Sequence, residues 1–171
     1  WRRTKLLNEQ LKVLKVISEV TRRMDLNEFA RLVGLTTNET LKQIQELTKT
    51  GHLRSTSSGY GITEKGKATL KAQARVPEGS EFSFYMAVGQ PTGLSARALN
   101  EFYEKVKMVD AASLEFHVYR GDVKNWLLAV IKDEVLAGEL DSLSHSELKG
   151  ENLREKLVAL IEKSYDAEAL R

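Results

Sequence analysis

The chain has 171 residues and a mass of 19.3 kDa, enough for one ordinary domain or two small ones. Apolar residues make up 42% and charged residues 29%, which is the composition of a protein with a buried core. The absence of cysteine excludes disulfides, thiolate nucleophiles and cysteine-ligated metals, and no uncharged run approaches the roughly 18 residues of a membrane span. With three histidines and no signal-peptide pattern, the sequence predicts a cytoplasmic protein with no metal and no cofactor.

The two halves of the chain carry opposite charge. Residues 1–76 contain 15 Lys and Arg against 7 Asp and Glu, a net charge of +8. Residues 77–171 contain 11 against 17, a net charge of −6. The segment from Arg75 to Ser80, with Pro77 and Gly79, has the chemistry of a linker. We therefore predict a basic domain over 1–76 and an acidic domain over 77–171, each meeting a different partner.

The first predicted helix runs from Thr4 to Thr21 and is apolar on two sides. One stripe consists of Leu7, Leu11, Leu14 and Ile17, and a second consists of Val13, Val16 and Val20. A helix with two apolar faces must bury both. The second stripe packs either within the domain or against a partner subunit.

Two further helices follow, separated by a glycine turn. Asp25 is placed to cap the first of them and Gly34 to end it in a left-handed turn. The next helix restarts at Thr36, Thr37 or Asn38 and ends at Gly51. Its predicted inward stripe is Leu41, Ile44 and Leu47. Helix, short turn and helix is the helix-turn-helix plan.

A hairpin and another helix complete the first half. Residues 52–56 and 60–62 are predicted strands joined by Ser57, Ser58 and Gly59, and Thr63 is placed to cap a helix over 64–70. With this hairpin in place, residues 6–72 resemble the winged helix-turn-helix domains common in archaeal regulators. The most telling part is the Tyr60–Gly66 segment, which follows the end of the second helix-turn-helix helix. The stretch between Gly34 and Leu41 is one residue longer than is usual in such domains.

The resemblance implies a double-stranded DNA partner, with the second helix of the pair in the major groove. Polar side chains on that helix are the expected base contacts: Thr37, Asn38, Thr40, Lys42 and Gln43. The expected backbone contacts lie around it and on the hairpin: Arg22, Arg23, Arg31, Lys49, Arg54, Ser55, Ser57, Ser58 and Lys65.

The second half is predicted to contain one strand followed by helices. Apolar residues alternate over 81–89, Gln90–Gly93 has turn composition, and Ser95 is placed to cap a helix. Helices then follow over 111–119, from a cap at Asp122, over 133–143 and over 151–165. Residues 81–165 resemble a prokaryotic domain family of unknown function. That resemblance rests on several short segments: Phe82 with Phe84, Gly89 to Gly93, Ser113 to His117, Asp122 to Trp126, and Leu153 to Ile161.

One polar cluster in the second half invites a chemical interpretation. His117, Arg120 and Asp122 lie around Gly121, with Trp126 close by, and a histidine beside a carboxylate is an arrangement used for general base catalysis. We favour a structural role, with His117 buried and hydrogen-bonded and Asp122 capping a helix, and we expect no enzyme activity. The alternative is a small-molecule site at these four residues.

Taken together, the sequence predicts a mainly α-helical fold with a small β-hairpin: an N-terminal winged helix-turn-helix domain and a C-terminal, mostly helical domain with a short strand. The predicted function is that of a DNA-binding transcriptional regulator whose acidic half senses a ligand or arranges subunits. We expect a homodimer, joined through the valine stripe of the first helix and the Leu153, Leu157 and Leu160 stripe of the last, with packing of both stripes within the monomer as the alternative. The alternative is an adaptor whose winged helix docks a protein or ribonucleoprotein, with the acidic half available to a protein partner.

Overall fold

The computed structural model describes residue 6, residues 8–20 and residues 22–171. In these ranges the protein is mainly helical, with two small antiparallel hairpins. The chain forms two compact units, one of Trp1–Lys71 with Arg171 and the other of Ala72–Leu170. None of the described helices is long and apolar enough to cross a membrane.

The first unit contains three helices, a hairpin and most of a fourth helix. The helices are α1 (Asn8–Glu19), α2 (Leu26–Val33), α3 (Thr37–Lys49) and α4 (Glu64–Gln73), whose last two residues belong to the second unit. Strands β1 (Leu53–Thr56) and β2 (Gly59–Ile62) pair between α3 and α4. These elements occur in the order that the sequence predicts. Thr4, Leu7 and Thr21, which the first predicted helix includes, lie outside the described residues.

The turn between α2 and α3 is held by the predicted caps. The Asp25 carboxylate accepts a hydrogen bond from the Glu28 amide at 2.9 Å, and Gly34 ends α2 with φ at +79°. Thr36 caps α3 in a capping box: its hydroxyl accepts from the Glu39 amide at 3.2 Å, and the Glu39 carboxylate accepts from the Thr36 amide at 2.9 Å. Of the three caps that the sequence left open, Thr36 is the one used.

The buried stripe of α3 differs from the predicted one at one of its three positions. Thr40, Ile44 and Leu47 are buried, whereas Leu41 is 37% exposed. The expected inward position of Leu41 is therefore wrong. Hydrophobic periodicity favours leucine over threonine as the inward residue. Thr40 can nevertheless be buried because its hydroxyl donates to the Thr36 carbonyl at 2.8 Å.

The core of the first unit covers both faces of α1. Val13 and Leu14 are fully buried with Phe29, Val33, Ile44, Leu47 and Leu53, and Val16 and Ile17 pack against this cluster. The second stripe therefore faces the unit's own core at Val13 and Val16. Val13 is fully buried there and Val16 is partly buried.

Helix α4 approaches β1 so closely that only glycine fits at position 66. A Cβ on Gly66 would overlap the His52 carbonyl oxygen and would lie 2.8 Å from Ile62 Cγ1. Thr63 caps the helix, accepting from the Gly66 amide at 3.0 Å while its hydroxyl donates to the Gly51 carbonyl at 2.6 Å. The Thr63–Gly66 segment thus fastens α4 to the end of α3 and the start of β1.

The second unit begins with a hairpin and continues as helices. Strands β3 (Phe82–Ala87) and β4 (Gln90–Ala96) are followed by α5 (Leu99–Val106), α6 (Ala111–Arg120), α7 (Asp122–Trp126), a π-helical turn (Leu127–Ile131), α8 (Glu134–Ser144) and α9 (Gly150–Ser164). The strand β4 was not expected, and the helix predicted from a Ser95 cap begins instead at Leu99.

The predicted turn at Gln90–Gly93 is wrong because turn-forming residues here occupy an edge strand. The turn is Val88–Gly89, with Gly89 at φ +72°. Pro91 pairs with Tyr85 in a two-stranded sheet, where a missing amide can face outward. The Thr92 hydroxyl donates to the Phe84 carbonyl at 2.8 Å and supplies a cross-strand bond of its own.

An aromatic cluster forms the centre of the second unit. Phe82 makes edge contacts with Phe84, Phe102 and Trp126, with ring centroids 4.9, 5.0 and 5.5 Å away. On α9, Leu153, Leu157 and Ile161 are buried and Leu160 is partly buried. The predicted stripe of the last helix therefore lies mostly inside the protein, and its buried leucines are not available for dimerisation.

Candidate functional site

The outward side of α3 is exposed to solvent. Hereafter the α3 outer face means the residues of this helix that are exposed, namely Asn38, Glu39, Leu41, Lys42, Gln45, Glu46 and Lys49. This face carries two amides and two lysines, which suit hydrogen bonds to base edges and phosphates. It also carries two carboxylates and one leucine.

The structure divides the five residues predicted to contact bases. Asn38 and Lys42 are exposed, and Gln43 is half-buried. The Thr37 hydroxyl donates to Asn27 Oδ1 at 2.8 Å, so it tethers α3 to α2. Thr40 is wrongly predicted as an outward residue, because it is fully buried with its hydroxyl bonded to Thr36. Only Asn38 and Lys42 of this set stand fully in solvent.

The predicted backbone contacts divide in the same way. Arg54, Ser55, Ser57 and Ser58 are exposed on the β1–β2 hairpin, as are Arg31 on α2 and Lys49 on α3. Lys65 instead donates to the Thr50 carbonyl at 2.7 Å and binds the end of α3. Arg22 is ion-paired with Glu28, while Arg23 is exposed. Lys42 and Lys49 are therefore the exposed cations of the α3 outer face, and Arg54 is an exposed cation on the hairpin.

Glu39 is a negative charge at the start of this face, and it has a structural use. The hydrogen bonds from the Thr36 amide and hydroxyl, at 2.9 and 2.8 Å, lower the pKa of Glu39 below its ordinary value. The stabilisation from this carboxylate is present above the ordinary glutamate pKa and is lost as the pH falls through the lowered value. Its charge opposes binding of an anion, but the fold needs its oxygens.

In the second unit, His117 is fixed by both ring nitrogens. Nε2 accepts a hydrogen bond from the Tyr85 amide at 2.8 Å, and Nδ1 lies 2.8 Å from Asp122 Oδ2. Because an amide N–H can only donate, Nε2 carries no proton and Nδ1–H is the donor to Asp122. This buried neutral imidazole joins β3 to α6 and α7. A general base would need the Nε2 lone pair that the Tyr85 amide occupies.

Asp122 does not cap α7 as the sequence suggested. The cap residue is Gly121, with φ at +80° and no side-chain hydrogen bond, and Asp122 is the first residue of the helix. The left-handed turn at Gly121 directs the Asp122 carboxylate back to His117 on the preceding helix. An aspartate just before a helix is typical of a cap, and the sequence pattern does not predict that its carboxylate contacts the preceding helix.

Arg120, Asp122 and Trp126 surround a concavity of about 480 Å³, here called the Arg120 pocket. Its apolar lining comes from Phe82, Phe116 and Trp126, and Val88 and Asn125 also border it. The Arg120 guanidinium lies over the Phe116 ring, 4.5 Å from the centroid, and its Nε is 3.7 Å from Asp122 Oδ2. The structure thus brings together all four residues of the predicted small-molecule site.

Sequence reasoning did not assign Phe116 and Asn125 to this pocket. Helical spacing could have found Phe116, which lies four residues before Arg120 on α6, the distance at which helix side chains meet. Asn125 has no such signal, because its place at the border depends on how α7 packs. Val88 belongs to the segment 81–89 in which apolar residues alternate, but it is 79% exposed because it lies in the turn.

A protein-family model described as a family of unknown function (DUF5752) matches residues 77–171. The chain belongs to this family. The DUF5752 region contains β3, β4 and all helices from α5 to α9, and with them the Arg120 pocket. The resemblance of residues 81–165 to a domain family of unknown function is confirmed. No curated protein and no solved structure matches the chain.

Within the residues that the structure describes, no group of three or more His, Asp or Glu side chains is placed to hold a metal ion. The acidic residues of α8 and α9 instead form surface pairs such as Lys163 with Glu139, at 2.8 Å. Polar groups meet at open solvent on the α3 outer face, in the Arg120 pocket, and in a concavity of the first unit bordered by Arg22, Arg23, Asp25 and Ser58.

Proposed function

We propose that the chain is a DNA-binding transcriptional regulator whose first unit acts as a winged helix-turn-helix domain. The α3 outer face would enter the major groove, and the β1–β2 hairpin would act as the wing along the backbone. The second unit, which carries the match to the family of unknown function, would sense a ligand or arrange subunits.

The observation that carries this proposal is the exposure of α3 together with the hairpin. Asn38 and Lys42 on the first two turns of α3 are in solvent, and every residue from Arg54 to Tyr60 is exposed. Leu53 and Ile62 at the base of the hairpin pack in the core, but an exposed segment beyond them is expected to have another use. Hydroxyl groups at its tip and Arg54 on its first strand suit contacts to phosphates.

The charge of the first half supports the same proposal. Residues 1–76 carry a net charge of +8, and neutralisation of phosphates is the main source of sequence-independent affinity for DNA. Four exposed cations lie on α2, α3 and β1: Arg31, Lys42, Lys49 and Arg54. If each neutralises one phosphate, the logarithm of the affinity should fall against the logarithm of salt with a slope of about −3.6.

The test is fluorescence anisotropy with a labelled mixed-sequence duplex, at sodium chloride concentrations from about 50 to 200 mM. We expect measurable binding at the lowest salt and a slope of about −3 to −4. Absence of binding at low salt, or a slope near zero, would rule the proposal out. A single-stranded oligonucleotide of the same length is the control, and it should bind less tightly because it cannot present a groove.

A second candidate is an adaptor that docks a protein through the same unit. It is favoured by two exposed leucines, Leu32 on α2 at 59% and Leu41 on the α3 outer face at 37%. Exposed apolar residues that cluster on a surface are typical of protein interfaces. Under this hypothesis Leu41→Ala should weaken partner capture, while replacement of Lys42 should not. Under the DNA proposal, replacement of Lys42 should weaken DNA binding more than Leu41→Ala does.

A further inference from the structure

The Arg120 pocket combines a fixed cation with apolar walls, and the carboxylates of Asp122 and Glu81 also line it. We infer that it binds a small carboxylate with a flat apolar body, such as an aromatic acid. Arg120 would pair with the carboxylate, and the ring would lie against the aromatic wall. The inference concerns the second unit alone and does not depend on the proposed DNA binding.

Arg120 is held in place while its donors stay open. Its guanidinium stacks on Phe116 at 4.5 Å, which fixes the plane of the group. Its side chain is 50% exposed, and it makes no hydrogen bond to any residue that the structure describes. At 3.7 Å, the Asp122 contact is an ion pair without a hydrogen bond. A planar guanidinium with free N–H groups recognises a carboxylate through two parallel hydrogen bonds.

Asp122 pairs with this cation but does not occupy its N–H donors. The same Oδ2 that faces Arg120 accepts the hydrogen bond from His117 Nδ1 at 2.8 Å. His117 is in turn fixed by the Tyr85 amide. This chain of bonds holds Asp122 in one orientation and leaves Arg120 able to take a second anion.

The walls of the pocket favour a flat apolar group. Phe82 and Trp126 are only 5% and 7% exposed, and the Trp126 indole is fixed by its hydrogen bond to the Ser80 carbonyl at 2.8 Å. Val88 stands at the border with 79% of its surface exposed, although it is a large apolar residue. A ligand ring would cover Val88 as it packs in the pocket. The volume of about 480 Å³ lies in the range of small-molecule sites.

The experiment is a fluorescence titration of the full chain with benzoate, phenylacetate and 2-naphthoate. Because Trp126 lines the pocket, a Trp1→Phe background makes it the one tryptophan that reports. We expect at least one of these acids to change the emission saturably, and its neutral amide to bind at least about tenfold more weakly. Failure of all three acids to saturate below about 10 mM, or equal binding of acid and amide, would overturn the inference.

A pair of arginine variants ties the effect to the pocket. Arg120→Gln should weaken the acid at least about tenfold and leave the amide nearly unchanged. Arg97→Gln removes an exposed arginine that does not line the pocket, and it should have no effect. Equal weakening by both variants would mean non-specific attraction of anions and would also refute the site. If Arg120→Gln does not fold by circular dichroism, Arg120→Lys keeps the charge but loses the double hydrogen bond, and an intermediate loss is expected.

Discussion

Replacement of Gly66 by alanine is the sharpest test of how the hairpin is attached to the helices. Gly66 lies in the first turn of α4, where its missing side chain lets the helix touch the His52 backbone. An added Cβ would overlap the His52 carbonyl oxygen, lie 3.2 Å from its carbonyl carbon and meet Ile62 Cγ1 at 2.8 Å. A backbone carbonyl cannot turn aside as a flexible side chain would. The helix itself must therefore move.

The size of the effect follows from two opposing contributions. Overpacking of a fixed site costs about 1–3 kcal/mol, and a clash with the backbone belongs at the upper end. Alanine is favoured over glycine within a helix by about 1 kcal/mol. The expected net loss is therefore about 2 kcal/mol, or roughly 8–16 °C in the unfolding temperature of a unit of this size.

Gly138→Ala is the matched control for this variant. Gly138 lies within α8, and a Cβ added there would meet no atom of the described residues within 4 Å, so alanine should stabilise by about 0.5–1 kcal/mol. Calorimetry measures both effects, and hydrogen exchange assigns the loss to residues 53–73. A Gly66→Ala protein as stable as the wild type would show that α4 and the His52 backbone are not in close contact.

Three further outcomes follow from the hydrogen bonds of single residues. Glu39→Gln keeps the capping box with Thr36 but removes a negative charge from the α3 outer face. DNA affinity measured by anisotropy should therefore rise about threefold. An unchanged or lower affinity would contradict the placement of α3 in the groove. His117→Ala leaves the Tyr85 amide unpaired in a cavity and should lower the free energy of unfolding in urea by about 3 kcal/mol, whereas exposed His145→Ala should change it by less than about 0.5 kcal/mol. Burial, together with the hydrogen bond to a glutamate, raises the pKa of Tyr103 to about 12, so stability should fall as the pH rises from about 10 to about 12. Tyr103→Phe should reduce that fall, and an identical pH profile would refute the assignment.

The sequence predicted the first unit well because its signals are local. Asp25, Thr36 and Gly34 act on backbone groups within four residues of themselves. Their roles can therefore be predicted from the local sequence. On α3, Ile44 and Leu47 were correctly predicted to face inward, but the first inward position was misassigned because the decision between Thr40 and Leu41 depends on packing. A threonine whose hydroxyl bonds its own helix behaves as a small apolar residue.

The second unit was predicted less completely because its signals act across the chain. Strand β4 contains proline and glycine and is defined by its pairing with β3, which no local pattern records. The partner of His117 Nε2 is the backbone of Tyr85, 32 residues away, and a backbone amide leaves no trace in the sequence. The His117–Asp122 contact joins residues five apart, but it depends on the left-handed turn at Gly121. The four residues grouped by sequence were brought together as expected, although Asp122 plays a different part.

The dimer prediction illustrates the same difference between pattern and packing. The valines of α1 and the leucines of α9 formed apolar stripes that a partner subunit could have covered. The structure buries Val13, Leu153 and Leu157 within their own units. An apolar stripe in a sequence predicts burial, but it does not say what covers the stripe.

Charge reversal on α3 and the hairpin is a direct test of whether these two elements bind duplex DNA. Lys42→Glu with Arg54→Glu should reduce affinity for a duplex by more than about a hundredfold at low salt and flatten the salt dependence by about two units of slope. Lys15→Glu, which reverses an exposed lysine on α1, should leave the slope nearly unchanged. Equal behaviour of the two proteins, with both folded by circular dichroism, would contradict the account and leave the first unit as a docking module for a protein.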